Sequence, residues 1–369
     1  MARIVLFGGS GDMGQGILED LLVHSDGHEV VVFDLNTRGA KEAVERVGGV
    51  GRNTVSFVEG DVGDKRAVEG VLRGADVAVS AVGPFYRFGF EVASAAVRLG
   101  VNYVDICDDP DATQAELSLD RLARNSGVIS IVGMGWTPGL SNLLVKYLAS
   151  SFDGEVDVDI YWVGSTTDSE GVAVIGHVFH VISRDTYMFL DGHWVPVKPV
   201  TGFEEVAFPP PIGTVRTYYV GHPEPLTIPM YLKVRSVRLK GALIPEEMNH
   251  IAKMLDDLGF LSEEGRVRAL MRGLHPILPQ LSKLGGRSPP VSGVLVRVRG
   301  RSKGEERVAS AACVDSMRRL TGIPPAVVAV QLAEGRLHAE PGVYPPEGAV
   351  DPKTFLEALR LRQVDVEEE

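Results

Sequence analysis

The chain has little cysteine: Cys107 and Cys313 are the two in 369 residues. Two thiols cannot build a disulfide framework, so a bridge-stapled scaffold is excluded and a reducing, cytoplasmic setting is expected. Each sits in an apolar stretch, which reads as a small buried hydrophobe rather than a reactive thiol. Long apolar runs are missing too. None approaches the ~20 residues of a membrane-crossing helix, so no membrane partner is expected. Met1-Ala2-Arg3 leads straight into the first predicted strand, so no signal peptide is expected. Basic residues are outnumbered, 37 Lys and Arg against 49 Asp and Glu, for a formal net charge of −12. That balance argues against nucleic acid as a partner. Part of the acid lies in the tail Asp365-Val366-Glu367-Glu368-Glu369, which is expected to be frayed and solvated. Internal repeats, low-complexity segments and zinc-type cysteine spacing are absent, and no metal site is expected.

What the chain does have is glycine in an ordered pattern. Residues 4–7, Ile-Val-Leu-Phe, read as a short buried strand. Gly9, Gly11 and Gly14 follow at G-x-G-x-x-G spacing, with Ser10, Asp12 and Met13 between them. Residues 15–22 then put Ile17, Leu18, Leu21 and Leu22 on one side of a helix. Strand, glycine loop and helix in that order make a dinucleotide-binding fingerprint. Gly9 is expected to permit the tight turn, Gly11 to admit a pyrophosphate, and Gly14 to let the helix pack on the strand. The helix N-terminus offers its N–H groups to the phosphates. A second apolar run, 28–33, ends in Asp34, twenty residues after Gly14, where a carboxylate accepts hydrogen bonds from an adenosine ribose. Asp34 favours NAD, because a carboxylate repels a 2′-phosphate; Arg38, four residues on, keeps NADP open.

The strand–helix rhythm continues to residue 133. Strands are predicted at 4–7, 29–33, 55–58, 77–82, 103–106 and 128–132, and helices at 15–22, 39–47, 64–72, 91–99 and 113–125. The fold class is α/β: a Rossmann doubly wound parallel sheet, expected order 3-2-1-4-5-6. Ligands of such sheets bind beyond the carboxyl ends of the strands. After the third strand come Asp61 and Val62, placed for an adenine. After the fourth come Val82, Gly83, Pro84 and Phe85, placed for the nicotinamide end and the substrate beside it. After the fifth come Cys107-Asp108-Asp109-Pro110-Asp111, where Asp108 is the preferred functional carboxylate. Asp109 is either a substrate contact or a helix cap. After the sixth, the run 133–142 holds Trp136, Thr137 and Asn142 and carries the chain into a second domain.

From residue 156 the rhythm changes. Strands are predicted at 156–163 and 234–240, and hairpins at 187–197, around Asp191-Gly192, and at 293–313. Helices are expected near 183–187 and at 246–257, 263–274, 315–320 and 324–334, the last with Pro324 and Pro325 in its first turn. A short helix is expected at 352–361. Residues 201–225 are rich in Pro and Gly, and 287–290 read as an exposed loop. Mixed strands and helices inserted after a doubly wound sheet make a second α+β domain.

Several stretches together resemble the saccharopine dehydrogenase family, both its saccharopine reductases and its lysine 6-dehydrogenase-like members. They are the glycine loop 9–14, Ser80-Ala81-Val82-Gly83-Pro84-Phe85, Gly100-Val101-Asn102-Tyr103-Val104-Asp105, and the run Gly133-Met134-Gly135-Trp136-Thr137-Pro138-Gly139-Leu140-Ser141-Asn142. His177-Val178-Phe179 and Val343-Tyr344-Pro345-Pro346-Glu347 also look like family positions. The resemblance implies that the C-terminal helices return to the first domain, giving a dinucleotide-binding domain of residues 1–135 plus 312–369 and a substrate and dimerisation domain of 136–311. It implies a homodimer and NAD(P)-dependent chemistry at a C–N bond. Two positions depart from the saccharopine reductases: Asp108 stands where they carry a tyrosine, and Thr137 where they carry an aspartate before the proline. The departures point away from saccharopine towards a simpler amine or amino acid.

Hydride transfer at such a carbon needs a held nicotinamide, a base for the amine proton, and polar groups that orient the substrate. Gly83 and Pro84 serve the first. His222, in a proline-flanked loop, is the preferred base, with His177 and His180 as runners-up. Asp108 binds a substrate ammonium or acts as base. Phe85, Asp109, Trp136, Thr137, Asn142 and His177 are the expected substrate neighbours, with Asn142 alternatively a helix cap. Carbonyl or C=C reduction on the same fold, and a non-catalytic dinucleotide sensor, are the competing readings.

Overall fold

Strands buried on both faces of a parallel sheet carry near-continuous apolar runs. Residues 4–7 and 30–33 are such runs, and every one of their side chains is buried. The computed structural model describes residues 1–168, 186–260 and 290–369. The chain forms two compact units, Met1–Leu140 with Arg318–Ala358, and Ser141–Met317 with Leu359–Glu369.

The first unit is built on β1 (Arg3–Phe7), β2 (Glu29–Asp34), β3 (Thr54–Glu59), β4 (Val77–Ser80), β5 (Asn102–Asp105) and β6 (Ile129–Ile131), with β15 (Gly342–Tyr344) joining from the C-terminal part. The sheet runs β15-β6-β5-β4-β1-β2-β3, and each neighbouring pair is parallel. This is the expected 3-2-1-4-5-6 order with a seventh strand at one edge. Its helices are α1 (Asp12–His24), α2 (Arg38–Val47), α3 (Lys65–Leu72), α4 (Phe85–Arg98), α5 (Pro110–Leu117) and α6 (Asp120–Ser126). Phe7 is level with Phe33 and Ser80, and Ser80 with Asp105. The loops that follow β1, β2, β4 and β5 therefore leave one edge of the sheet together.

Two helix predictions need correction. The span 113–125 breaks after Leu117, where Ser118 Oγ bonds back to the Ala115 carbonyl at 2.5 Å and offers the backbone an alternative to continued helix. The two helices foreseen at 315–320 and 324–334 are one, α10 (Met317–Ala333), with Pro324 and Pro325 in its interior. Leu320, Ile323, Ala326, Val327 and Val330 are all buried at helical spacing. That packing outweighs the hydrogen bonds the prolines cannot donate. Within the first unit α10 meets α1 closely: a Cβ on Gly16 would lie 2.6 Å from the Arg318 carbonyl oxygen, and one on Gly322 2.6 Å from the Gly16 carbonyl carbon. The short helices α11 (Pro346–Ala349) and α12 (Pro352–Leu361) follow β15.

The second unit holds β7 (Val156–Ser165), β8 (Thr186–Leu190), β9 (His193–Val197), β10 (Glu204–Phe208), β11 (Gly213–Tyr219), β12 (Val234–Ile244), β13 (Ser292–Ser302), β14 (Glu305–Asp315) and β16 (Glu367–Glu368). They form a nine-stranded sheet, β10-β11-β12-β7-β13-β14-β16, with the β8–β9 hairpin attached to β12. Of these pairs, β12 and β7 run parallel. Tyr161, Val163, Val206, Phe208, Ala242, Leu295 and Ala312 make an apolar cluster on it. The helices are α7 (Leu140–Ala149), α8 (Glu224–Tyr231) and α9 (Glu247–Asp257). The Pro- and Gly-rich span 201–225 is not simply loop, since it contains β10 and β11. The acidic tail is not frayed either. Glu368 pairs with Ala311, and the Glu369 carbonyl accepts from Ser310 N–H at 2.9 Å, so the carboxylates flank an ordered edge strand. Of the helix near 183–187, Thr186 and Tyr187 belong to β8. The rest of it, and the helix at 263–274, lie outside the described residues.

Candidate functional site

The glycine loop starts one residue earlier than its spacing implies. The tight turn falls on Gly8, at φ +76°, a conformation that L side chains rarely adopt. Gly9 instead relieves packing, since a Cβ there would lie 2.7 Å from Val32 Cγ1. The Gly11 N–H closes the turn on the Gly8 carbonyl at 3.1 Å. Gly14 has the role assigned to it: its Cβ would lie 2.0 Å from that same carbonyl oxygen. At Gly11 the one contact within range is 3.4 Å away, so backbone faces open space at the start of α1. Such a cradle fits a pyrophosphate at a helix N-terminus.

Asp34, at the end of β2, is fixed by two donors: Ser10 N–H to Oδ2 at 3.0 Å and Asn36 N–H to Oδ1 at 3.2 Å. Ser10 Oγ in turn accepts from Ala40 N–H at 3.2 Å, tying the loop to α2. Arg38 is largely exposed and pairs with Glu42. Asp12 forms an ion pair with Arg318 of α10, whose Nε donates at 2.7 Å. A cation therefore stands beside the acid at the phosphate end of α1. Met13, Val62 and Val82 pack against the core of this unit. Asp61 is exposed and accepts from Gly63 N–H at 2.8 Å. Pro84 sits at the N-cap of α4, which makes Phe85 the first helical residue, and Phe85 is buried.

Beneath the β5 loop lies a buried acid pair that composition and spacing do not reveal. Asp105 Oδ1 accepts from Cys107 N–H at 3.0 Å and Gly133 N–H at 2.7 Å. Its carbonyl accepts from Met134 N–H at 2.7 Å. Asp105 thus joins the loops after β5 and β6. Burial raises the Asp105 carboxyl and pushes Glu116 of α5 well above its usual range, helped there by the Asp105 charge. Two carboxyls buried side by side resist ionising together. Room for Glu116 comes from Gly89, whose Cβ would lie 2.2 Å from its carboxylate oxygen. Burial likewise raises the Cys107 thiol, so it stays protonated, a packing residue as expected.

The carboxylates of the β5 loop separate in role. Asp108 is half-buried, with one side towards solvent. Asp109 is fully buried, and its Oδ2 accepts from Tyr86 N–H at 2.9 Å. It stands at the N-cap of α5 without capping that helix through its side chain. Asp109 thus ties the loop after β5 to the first turn of α4. In the next loop Gly135 pairs with Gly139, and the Gly135 carbonyl accepts from Leu140 N–H at 2.9 Å. Trp136 and Thr137 are both buried there.

In the second unit Asn142 is fully buried inside α7 rather than at its cap, and its Nδ2 donates to Thr227 Oγ1 at 3.4 Å. Its position in the helix sets the cap alternative aside. His222 is buried against Trp162 and lies 3.7 Å from Glu224. His177 and His180 lie outside the described residues. Among the described residues no group of three or more His, Cys, Asp and Glu could hold a metal ion, and no helix is long and apolar enough to cross a membrane.

Residues 4–131 match the family model for the saccharopine dehydrogenase NADP binding domain. That match covers about a third of the chain, the first six strands of the parallel sheet. The glycine loop and Asp34 fall inside the matched residues. The chain is similar to a lipid droplet localized protein of Caenorhabditis elegans, 28% identical over 161 residues, 42% of this chain and 38% of that protein. It is also similar to carboxynorspermidine synthase of Vibrio cholerae, 23% identical over 282 residues, 69% of this chain and 67% of the other. The match therefore spans about two fifths of the first relative and two thirds of the second. Among solved structures, apo saccharopine dehydrogenase (L-Glu forming) of Saccharomyces cerevisiae shares the fold with a TM-score of 0.69 at 15% identity, over 100% of this chain and 99% of that one.

Proposed function

We propose that this chain is an oxidoreductase of the saccharopine dehydrogenase type that uses NAD to oxidise, or reductively form, the C–N bond of an amino acid, amine or imine. The observation that carries the reading is a juxtaposition on one sheet edge. The glycine loop after β1 and Asp34 at the end of β2 make a cradle suited to a dinucleotide, and Asp108 stands half-exposed in the loop after β5, two strands from β1. A carboxylate there suits a substrate ammonium. Carboxynorspermidine synthase, by its name a polyamine-forming enzyme, supports an amine-containing substrate.

Bound in the cradle, the nicotinamide would supply or accept the hydride. The protein's own groups do the rest. The 8–14 turn and the N-terminus of α1 bind the phosphates, and Asp34 receives the ribose hydroxyls. Val82, Gly83 and Pro84 border the reactive ring, and Asp108 orients the amine. Phe85, Trp136 and Thr137 wall the site apolarly. His222 takes the amine proton as C–N becomes C=N, and returns it in the reverse direction. A homodimer through the second unit's sheet is the expected assembly, which sedimentation analysis tests.

Kinetics of two variants test the assignment. His222→Ala should lower kcat by about 10²-fold or more, the range typical of a lost general base. Asp108→Asn should raise KM for the amine and leave cofactor affinity unchanged. Wild-type turnover in His222→Ala removes that residue from the chemistry.

A further inference from the structure

Pro223 alone separates His222 from Glu224, and both side chains are buried, 3% and 0% exposed. Glu224 Oε2 lies 3.7 Å from His222 Nδ1. Its other oxygen, Oε1, accepts from Ser141 Oγ at 2.8 Å. The Trp162 ring lies against the imidazole, centroids 5.5 Å apart. Gly241 makes room for that indole, since a Cβ there would sit 2.1 Å from Trp162 Cε2. All five residues belong to the second unit.

We propose that Glu224 is a positioning residue for His222, selecting its tautomer and stabilising its protonated form, with Ser141 holding the carboxylate in place. The inference rests on His222 being the base. A buried carboxylate is costly unless hydrogen bonds and a counter-charge offset its lost hydration. Ser141 provides a hydrogen bond. The first turn of α8, where Glu224 sits, provides favourable dipole. A protonated imidazole provides the counter-charge at the moment His222 accepts a proton. The 3.7 Å separation is longer than a hydrogen bond. Contacts of this kind tighten when substrate binds and the ring becomes charged. With the carboxylate facing Nδ1, the neutral ring carries its hydrogen there and takes the substrate proton at Nε2.

The test is nitrogen NMR of histidine-labelled full-length protein, with His222→Ala used to assign the signal. Expected is a neutral His222 in the Nδ1–H form. In Glu224→Gln a mixture of tautomers should appear, and the titration midpoint of His222 should fall. Ser141→Ala, which keeps the charge, should shift both in the same direction by less. In turnover assays Glu224→Gln should lower kcat about tenfold or more with KM little changed, and Glu224→Asp should restore part of the loss. An unchanged His222 tautomer and titration in both Glu224→Gln and Ser141→Ala overturns the proposal. Because the NMR readout needs no turnover, it separates this inference from the base assignment. Full activity in His222→Ala would sink the assignment while leaving the pairing standing.

Discussion

Two carboxylates decide most at the scale of single residues. Asp34, the proposed ribose acceptor, has both oxygens already oriented by backbone N–H groups. Replacing it with arginine exchanges a group that repels a 2′-phosphate for one that binds it. The ratio of NADPH to NADH dissociation constants should move at least tenfold towards NADPH in Asp34→Arg, measured by fluorescence titration. Wild-type NADPH binding already more than tenfold tighter than NADH would contradict the NAD assignment. Glu116 gives a prediction of the opposite kind, on stability. Its folded-state pKa is raised by burial, so the unfolded chain releases this proton first as pH rises. Stability is fully present below the ordinary glutamate range and declines above it until the folded state also ionises. Glu116→Gln removes the titration. Its thermal midpoint should decline less with rising pH than that of the wild type; parallel curves would show that Glu116 does not titrate above the ordinary range.

At the scale of elements, the loops after the strands carry both the site and the limits of reading it from sequence. Gly14→Ala tests the first loop, because the added methyl meets backbone rather than a side chain that could turn away. Overpacking of this kind costs about 1–3 kcal/mol. NADH affinity should fall by about tenfold or more, while the far-ultraviolet circular dichroism stays that of the wild type. Unaltered affinity would place the dinucleotide elsewhere. The six predicted strands of the first unit are all present, because parallel strands announce themselves as apolar runs. β15 was hidden, being three residues between prolines. The turn glycine was misassigned by one residue because spacing does not encode φ. Pro324 and Pro325 suggested a helix start, yet buried neighbours at helical spacing carry α10 through them. Asp105, Glu116 and Glu224 escaped notice for a common reason. Each acts through a partner far away in sequence or through burial, and neither leaves a local pattern. Asp108 and Asp109 look alike in sequence; the hydrogen bond to Tyr86 tells them apart.

At the scale of the whole molecule, the chain joins a dinucleotide-binding unit to an α+β unit, each with its own sheet and core. The first unit holds the glycine turn, Asp34 and the half-exposed Asp108, and the second a buried histidine–glutamate pair. The formal net charge of −12 fits a small-molecule substrate better than a polyanion. The central claim is that the reducing equivalents are directed at a C–N bond. NADH oxidation followed at 340 nm tests it most directly, with a panel of carbonyl compounds offered alone and then together with amines and amino acids. The account predicts oxidation when carbonyl and amine are present together and only background rates with either alone. Equal rates with the carbonyl alone would contradict it and identify a carbonyl reductase. Firm NADH binding with no oxidation under any condition would identify a sensor.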